Sequence, residues 1–455
     1  MSEPSQNIAQ NPHDREDRSA VSRRAFLAKM AAAGALGSAS LAVGASVMQV
    51  PRAFGVVGDV EPAAYIVYID SGTTYARNGT TGAVDYSGTA QSVLQNVLNA
   101  LTNGGSIFIR GGTYGISSTI TIPSTYNLTV EGEGSATIIA MTGNNPVFSS
   151  NAGTLWTVRR LQIQGGGSSN SNAHGFQLTD PTDCKLEDIY LLNCRNAIDV
   201  TTAWHLALTN LTIGNEGTGS QNYFGIYSHD PAQGAGDNTA ITANGVNIAK
   251  TVSDGIHLEH VSGSKWVNCE VNSAGGHGVF VGLPATTHYP THFSHWANCL
   301  SDSNTMDAWH IDGSGSQNGI ATDMQFANIA AGNSRVGLYL KNVGNIVISN
   351  PLMKTFTQHA IEIDTTSTGS SFHVVINGGY VDGYDSAGSG RYAGVYVNAA
   401  VKNAVIGTHF VGNGTIGSVY ETSGSDYNIY SLLDYNGDEA LHSVGPNNVV
   451  ANNRN

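Results

Sequence analysis

A four-residue pattern recurs along this chain, and its successive copies start between 22 and 34 residues apart. Each copy reads small, apolar, variable, then apolar or small, as in Gly255-Ile256-His257-Leu258. Because alternate side chains of a β-strand point to opposite faces, the apolar residues would face a core and the variable residue would face outward. Short strands that repeat at this interval are typical of a stacked solenoid. The copies start at Gly175, Ala197, Gly225, Gly255, Gly278, Ala308, Gly337, Ala360 and Gly394.

The composition favours an all-β chain without long helices. Glycine contributes 55 of the 455 residues and charged residues only 12%. This balance suits many short strands joined by tight turns. The formal net charge is -14. Since phosphate binding requires a basic surface, the acidic charge argues against nucleic acid as a partner.

The N-terminus resembles a twin-arginine export signal. Residues 22–29, S-R-R-A-F-L-A-K, match the S-R-R-x-F-L-x-K pattern of that signal at every specified position. An Ala- and Gly-rich apolar run follows over residues 30–50. The run is too weakly hydrophobic to favour the alternative, a permanent membrane span. We therefore predict a leader over residues 1–54 and export to the periplasm, the cell surface or the medium, without a stable membrane span.

Changing Arg23 and Arg24 to Lys should keep the precursor in the cytoplasm, because the export receptor reads the arginine pair as an address. Cell fractionation with an antibody to the chain measures the effect. The control variant changes Arg15 and Arg18 of the same leader and should be exported normally. Normal export of the Arg23/Arg24 double variant would show that the targeting prediction is wrong.

Residues 91–139 contain each part of the N-terminal module of the pectate-lyase-like superfamily. That module begins with a helix. A strand segment that starts with G-G follows, then a segment that contains G-T-Y, then a strand after serine, and finally an x-G-x-G turn. After the helix, its counterparts here are Gly104–Ile107, Gly111–Tyr114, Ser117–Ile120 and Glu131–Gly134. The chain therefore resembles this superfamily. The resemblance implies an all-β fold, a single-stranded right-handed parallel β-helix with a short N-terminal capping helix.

The resemblance and the repeat together divide the chain. We predict a capping module over residues 55–144, β-helix coils over residues 145–432 and an end segment over residues 433–455. Thr89 would cap a helix that runs through Leu101 and covers the open end of the solenoid, which would otherwise expose backbone and core. The superfamily includes lyases, hydrolases, epimerases and phage tailspikes, so membership alone does not define an activity.

A second repeat indicates the phase of the coils. Asparagine tolerates the left-handed backbone of a tight turn, and its amide can stack on the asparagine of the next coil. In the superfamily such a ladder lies between the second and third strands of a coil. This would place His257 and His310 on the first strand, along which the substrate groove of the family runs. The predicted ladder consists of Asn210, Asn244, Asn268, Asn298, Gln325 and Asn377.

The variable residues of the repeat would stack into one column on the outer wall. The residues two positions downstream in each copy form a second column, called the downstream column, and those three positions upstream form a third. The three columns together are richest in carboxylates and imidazoles between Asp254 and Asp364. Such groups act as acids, bases and hydrogen-bond partners. The central column is Gln177, Asp199, Tyr227, His257, Phe280, His310, Tyr339, Glu362 and Tyr396.

We predict that this wall is the active site of a secreted enzyme that cleaves or modifies a polysaccharide, either a glycoside hydrolase or a lyase. Glu259 and Asp312 are two coils apart, about 10 Å between backbones. Inverting glycosidases hold their two carboxyl groups about 6.5–9.5 Å apart. We therefore give these two residues the acid and base roles, with histidines that position substrate or share the proton transfer. The predicted catalytic residues are Asp254, His257, Glu259, His277, Asp307, His310 and Asp312.

Aromatic and polar side chains on neighbouring coils would hold the sugar. Aromatic faces stack on sugar rings, and the acidic wall favours neutral or amino sugars over polyuronates unless a cation bridges them. No cofactor is predicted to be required, although calcium is compatible with the carboxylates. The predicted substrate-binding residues are Tyr227, Phe280, Tyr339, Lys341, Glu362 and Tyr396.

Three alternatives remain open in the sequence. The chain could be a non-catalytic surface β-helix that binds glycans or builds an envelope layer. His292 and His295 have a spacing that metal ligands use, but they belong to a polar insertion over residues 286–295, which favours exposed loop histidines, and no metal site is assigned. Cys269 and Cys299 occupy the same place in consecutive coils, so a disulfide is conceivable, although two small inward residues are favoured.

Overall fold

The computed structural model of the chain describes residues 63–124, 127–215, 221–229, 238–259, 261–282, 292–314, 321–365, 371–411, 416–435 and 441–453. The predicted leader over residues 1–54 lies outside these ranges, as do His288 and most of the predicted insertion before His295. Within the described ranges, no helix is long and apolar enough to cross a membrane.

A capping layer covers the N-terminal end of the solenoid. The Thr89 side chain accepts a hydrogen bond from the Ser92 N–H, and the helix Ala90–Ala100 follows, one residue shorter than predicted. This helix buries an apolar stripe of Val93, Leu94, Val97 and Leu98 against the cap strands. A short 3₁₀ helix follows later at Gly134–Ala136. The cap strands are Tyr65–Asp70, Thr73–Asn78 and Val84–Gly88.

Beyond the cap, the chain winds through coils whose strands pair in parallel with their counterparts in the next coil. One sheet, called the site sheet below, has 13 strands in strict chain order within the described residues. Its strands are Ile120–Ile122, Phe148–Asn151, Phe176–Thr179, Asn196–Thr201, Phe224–Ser228, Ile256–Leu258, Val279–Gly282, Trp309–Asp312, Leu338–Lys341, Ile361–Asp364, Val395–Val397, Val419–Glu421 and Leu441–His442.

The other large sheet, the back sheet, has 29 strands in the part of the chain that the structure describes and includes the three cap strands. Its remaining strands are Gly105–Ile109, Gly112–Ile116, Leu128–Gly132, Thr137–Met141, Trp156–Gln164, Lys185–Leu192, Ala207–Thr209, Thr212–Ile213, Thr242–Asn244, Asn247–Ala249, Lys265–Val267, Glu270–Asn272, His295–Ala297, Leu300–Asp302, Ala321–Thr322, Gln325–Ala327, Ala330–Ser334, Val343–Ser349, Leu352–Phe356, Phe372–Asn377, Tyr380–Asp382, Ala404–Ile406, His409–Val411, Ile429–Ser431, Asp434–Tyr435 and Val449–Ala451. A separate pair joins Asn238–Thr239 and Val261–Ser262.

The register of the site sheet confirms the predicted coil assignment. Ile256 lies opposite Val279, Val279 opposite Trp309, and Trp309 opposite Leu338. Leu338 in turn lies opposite Ile361, and all five side chains are buried. These inward residues therefore form one continuous column, and full burial of each large apolar side chain is worth about 1.5–3 kcal/mol.

The asparagine ladder exists, but the sequence placed two of its members wrongly. Asn210, Asn268 and Asn298 have the predicted left-handed backbone, with φ of 50°, 53° and 54°. Asn328 and Asn350 continue the ladder, and the Asn328 side-chain amide donates to Asn298 Oδ1 at 3.2 Å. Asn244 is the last residue of a strand, and its Oδ1 accepts from the Asn268 side-chain amide at 3.2 Å, so it belongs to the ladder as predicted. Gln325 and Asn377 instead lie within strands. Gln325 lies three residues before the ladder residue Asn328, and Asn377 lies one residue before the left-handed Gly378. The sequence spacing did not resolve these offsets.

The four cysteines are buried and unbridged. Cys269 and Cys299 lie in adjacent coils next to the paired residues Glu270 and Leu300. Their thiols are among the small inward side chains of the core, which is the arrangement that the sequence favoured.

Candidate active site

The predicted outward column is present on the site sheet. Each member lies opposite the next in the strand register, from Gln177 and Asp199 at one end to Glu362 and Tyr396 at the other. Because the strands belong to successive coils, the side chains form one row about 4.8 Å apart along the solenoid axis. The row brings together the histidines, carboxylates and aromatic residues that the sequence assigned to the site.

His257 is held between two carboxylates on its own coil. Its Nδ1 lies 2.7 Å from Asp254 Oδ2 and its Nε2 lies 3.2 Å from Glu259 Oε1. Tyr227 on the preceding coil donates to the same Glu259 oxygen at 3.4 Å. Burial lowers the pKa of His257, but the bonds to Asp254 and Glu259 outweigh it, and the pKa is raised. Both nitrogens of His257 are therefore engaged by carboxylates, which favours its charged form.

His310 has the same spacing to an aspartate but a different environment. Its Nδ1 lies 2.7 Å from Asp307 Oδ2, whereas its Nε2 has no hydrogen-bond partner among the described residues. Burial lowers the pKa of His310 and the bond to Asp307 offsets this only in part. His310 is thus neutral at physiological pH, with the proton on Nδ1 and a lone pair on Nε2.

Asp307 is the fully buried centre of the site. Arg335 donates two hydrogen bonds of 2.8 Å to Asp307, one to each carboxylate oxygen. His277 Nδ1 lies 3.4 Å from Asp307 Oδ2. Burial raises the pKa of Asp307, but the bonds from His277, His310 and Arg335 outweigh it and hold the pKa well below its ordinary value. Asp307 therefore stays ionised and fixes the orientation of the His310 ring.

Asp312 and Asp364, which lie with Glu259 in the downstream column, also have hydrogen-bond partners. Lys341 Nζ donates to Asp312 Oδ2 at 3.1 Å, and the Ser314 N–H donates to Oδ1. Burial raises the pKa of Asp312, but the bonds from Ser314 and Lys341 outweigh it and lower the pKa. Tyr339 donates to Asp364 Oδ2 at 2.9 Å. Asp312 and Asp364 are thus acceptors held in ion pairs and hydrogen bonds.

Glu362 differs from all these carboxylates. It lies half-buried between Tyr339 and Tyr396 in the register of the site sheet. Among the described residues, no side chain donates a hydrogen bond to its carboxyl group or forms an ion pair with it. Burial, together with the charges of Asp364 and Asp307, raises the pKa of Glu362 to about 7, against a smaller lowering effect of Arg335.

The aromatic residues stack on the histidines, which changes how they can contact a sugar. Phe280 lies between His257 and His310, with ring centroids 4.5 Å and 5.3 Å away. Tyr227 stacks on His229 at 4.4 Å. Since both faces of Phe280 are covered, only its edge is left for a ligand, and the predicted face-to-face stacking on a sugar does not suit this residue. Its ring instead separates and orients the two imidazoles.

The sequence did not assign a role to several residues of this wall. Arg335 comes from a turn outside the three columns, and only its contact with Asp307 identifies it. A second cluster surrounds the buried Asp199, whose Oδ1 lies 3.1 Å from His229 Nε2 and whose Oδ2 accepts from Asn196. His174 lies 3.7 Å from the same carboxylate. The repeated spacing of three residues in Asn196–Asp199, Asp254–His257 and Asp307–His310 is the signal that could have found these pairs.

One group of side chains has the composition of a metal site. The ligand atoms of His277, Asp307 and His310 lie within 4.8 Å of one another. Two imidazoles and a carboxylate suit a transition metal. However, the Arg335 guanidinium already occupies both oxygens of Asp307, and its positive charge disfavours a cation at that position. The group is best described as a hydrogen-bond network around a buried carboxylate.

Comparison with known proteins gives structural likeness only. No family model and no curated protein matches the sequence. The A-module of mannuronan C-5 epimerase AlgE4 from Azotobacter vinelandii has a TM-score of 0.54 at 14% identity, covering 79% of this chain and 95% of that chain. The AlgE6 A-module from the same organism has a TM-score of 0.54 at 13% identity, covering 80% and 94%. Tailspike protein 3 of bacteriophage CBA120 has a TM-score of 0.53 at 12% identity, covering 79% of this chain and 58% of that chain.

These likenesses concern the fold. At such low identity they show a shared architecture and no shared activity. Together with the parallel strand order, they confirm the predicted right-handed parallel β-helix with its short N-terminal helix.

Proposed function

We propose that this chain is a carbohydrate-active enzyme that cleaves or modifies a polysaccharide on the outer wall of its site sheet, with His310 as the catalytic base. The observation that carries the proposal is the state of His310. The His310 Nδ1 lies 2.7 Å from the buried Asp307 carboxylate, and the His310 Nε2 has no hydrogen-bond partner among the described residues. The pKa of His310 is lowered. A neutral imidazole with an available nitrogen is suited to take a proton from water or from a sugar carbon.

The geometry favours His310 over Glu259 and Asp312 for the base. Glu259 accepts from Tyr227 and His257, and Asp312 accepts from Lys341 and Ser314. The donors to both carboxylates favour the ionised form, whereas His310 Nε2 has no such partner among the described residues. His257, with both nitrogens engaged, acts in this proposal as a charged clamp that holds Asp254 and Glu259.

The fold and the predicted leader support a glycan as the substrate. The same architecture is used by proteins named as mannuronan C-5 epimerases, so a β-helix wall can support sugar chemistry. We also propose export by the twin-arginine pathway, which would bring the folded chain to extracellular or cell-surface polysaccharide. The outer wall is a continuous strip of polar and aromatic residues, a form that suits an extended polymer more than a compact metabolite.

The purified chain should act on at least one member of a panel of neutral, amino-sugar and acidic polysaccharides. Reducing ends report hydrolysis, absorbance at 235 nm reports elimination, and proton NMR of the unbroken polymer reports epimerisation. Turnover by any of these readouts supports the proposal. Binding to a glycan without turnover on any substrate would contradict it and would favour the non-catalytic glycan-binding protein.

The pH profile of that turnover should have an acidic limb set by His310. The base must be neutral, and its pKa lies below the ordinary value of about 6.5. The rate constant kcat/KM should therefore rise with pH along a limb whose midpoint lies below about pH 6.5. Replacing Asp307, which raises the pKa of His310, with Asn should move this limb to lower pH as well as reduce the rate. A limb centred above pH 7 would contradict the assignment of His310.

A further inference from the structure

The three outer columns contain six carboxylates between Asp254 and Asp364. Among the described residues, Glu362 is the one of these six that has no hydrogen-bond or ion-pair partner. The others, Asp254, Glu259, Asp307, Asp312 and Asp364, each accept a hydrogen bond from a named side chain or backbone N–H. Glu362 is also half-buried, so water solvates its charge only in part. An unpaired, partly buried carboxyl group is favoured in its protonated form.

The charges around Glu362 act in the same direction. Asp364 on its own strand and Asp307 two coils away disfavour a further negative charge on Glu362, and Arg335 opposes them more weakly. The residues on either side of it in the column are the neutral rings of Tyr339 and Tyr396. With a pKa raised to about 7, a large share of Glu362 carries its proton near neutral pH.

Glu362 and His310 belong to the same column. His310 lies opposite Tyr339, and Tyr339 lies opposite Glu362, so two coil steps separate them. Two steps amount to about 10 Å between backbones. The acid and base of single-displacement glycosidases are about 6.5–9.5 Å apart, which leaves room for a sugar and a water molecule. Among the described residues, Glu362 is the carboxylate of the column, and His310 the imidazole, that has an unengaged acid or base atom.

We propose that Glu362 is the general acid, and His310 the general base, of a glycosidic hydrolysis that acts on a neutral or amino-sugar polysaccharide. This inference rests on the proposed function and specifies its reaction. Glu362 gives its proton to the glycosidic oxygen as the C1–O bond breaks. A water molecule bonds to C1 and gives a proton to His310 Nε2. The products are a new reducing end and a new hydroxyl end, and solvent exchange then returns the proton from His310 and reprotonates Glu362.

The charge of the wall selects hydrolysis of an uncharged chain over elimination. Elimination requires a uronic acid, whose carboxylate activates the adjacent proton. Along this stretch Arg335 and Lys341 are already bound to Asp307 and Asp312, and His257 is already held between Asp254 and Glu259. The remaining carboxylates would repel a polyuronate. Neutral and amino sugars avoid this repulsion, and a protonated amino group would be attracted.

The test replaces Glu362 with Gln and compares two substrates of the wild-type enzyme. On the polysaccharide, the variant should lose about 10²- to 10⁴-fold in rate, the usual effect of removing a general acid. On a nitrophenyl glycoside of the released sugar, the loss should be much smaller, because nitrophenolate leaves without protonation. The alkaline limb of the wild-type pH profile, centred near pH 7, should also disappear. The matched control is Glu187→Gln on the back sheet, which should change neither rate nor profile.

The outcomes separate this inference from the proposed function. Equal rate losses of Glu362→Gln on both substrates, with an unchanged pH profile, would show that Glu362 is only structural and would overturn the inference. A Glu362→Gln rate on the polysaccharide near that of the wild type would also overturn it. Melting temperatures check that the variants fold. If the Gln variant is unstable, Glu362→Asp replaces it in the test. This variant keeps the carboxyl group and should retain an alkaline limb in its pH profile. Turnover that releases only unsaturated products at 235 nm would overturn hydrolysis but leave a carbohydrate-active enzyme. A wild-type protein that acts on no polysaccharide would overturn both.

Discussion

The His310→Gln variant is expected to lose about 10²- to 10⁴-fold in kcat/KM on the polysaccharide that the wild type turns over. Glutamine is similar in length and can still donate to Asp307, so the Arg335–Asp307 pair should persist. Its amide, however, cannot take up a proton near neutral pH. The variant therefore removes the proposed base and leaves most of the buried network in place.

The matched control for this variant is His409→Gln. His409 also pairs with an aspartate, Asp434, at 2.8 Å, but it does so on the back sheet, away from the proposed site. Its rate should stay within about twofold of the wild type. Steady-state kinetics on the same polysaccharide, with melting temperatures for both variants, make the comparison. A wild-type rate in His310→Gln would mean that the base lies elsewhere on the wall.

The Trp309→Ala variant is expected to lose about 3–5 kcal/mol in the free energy of unfolding. Trp309 is only 1% exposed, and it meets Trp296 and Phe326 edge-to-face with centroids 5.2 Å and 6.0 Å away. Its indole N–H also donates to the Ala330 carbonyl at 3.3 Å. Truncation would leave a cavity between the two sheets and remove a hydrogen bond from a buried carbonyl.

Urea denaturation followed by far-UV circular dichroism measures this loss. Trp204 gives the matched control because its side chain is 52% exposed, and Trp204→Ala should cost no more than about 0.5 kcal/mol. Because solenoids can unfold in segments, the two variants should be compared by their transition midpoints as well as by fitted energies. A loss below about 1 kcal/mol for Trp309→Ala would contradict the described packing of the core.

The sequence predicts the backbone of this protein better than the side-chain contacts of its site. The small-apolar-variable-apolar repeat defines the register of the site sheet, because a slip of one residue would turn every apolar side chain out of the core. The register from Ile256 to Ile361 and the outward column follow from this rule alone. The cap helix follows from its Thr89 start and its apolar stripe.

The sequence did not predict which side chains of different coils bond to each other. Spacing places His257 and His310 in equivalent positions, yet the first has both nitrogens engaged and the second has one without a partner. The difference arises because Glu259 is beside His257, whereas Asp312 turns to Lys341 on the next coil. Rotamers and contacts between coils decide this, and they leave no periodic signal. The same holds for Phe280, which fills the space between two imidazoles.

The central claim is that the wall around His310 and Glu362 processes a polysaccharide. The most direct measurement is a crystal structure of the His310→Gln variant with an oligosaccharide of the substrate identified in the panel. The account predicts a sugar chain that runs along the site sheet, with the glycosidic oxygen of the bond to be cleaved about 3 Å from the Glu362 carboxyl group. A chain bound to the back sheet, or to the site sheet away from the coils between Asp254 and Asp364, would contradict it.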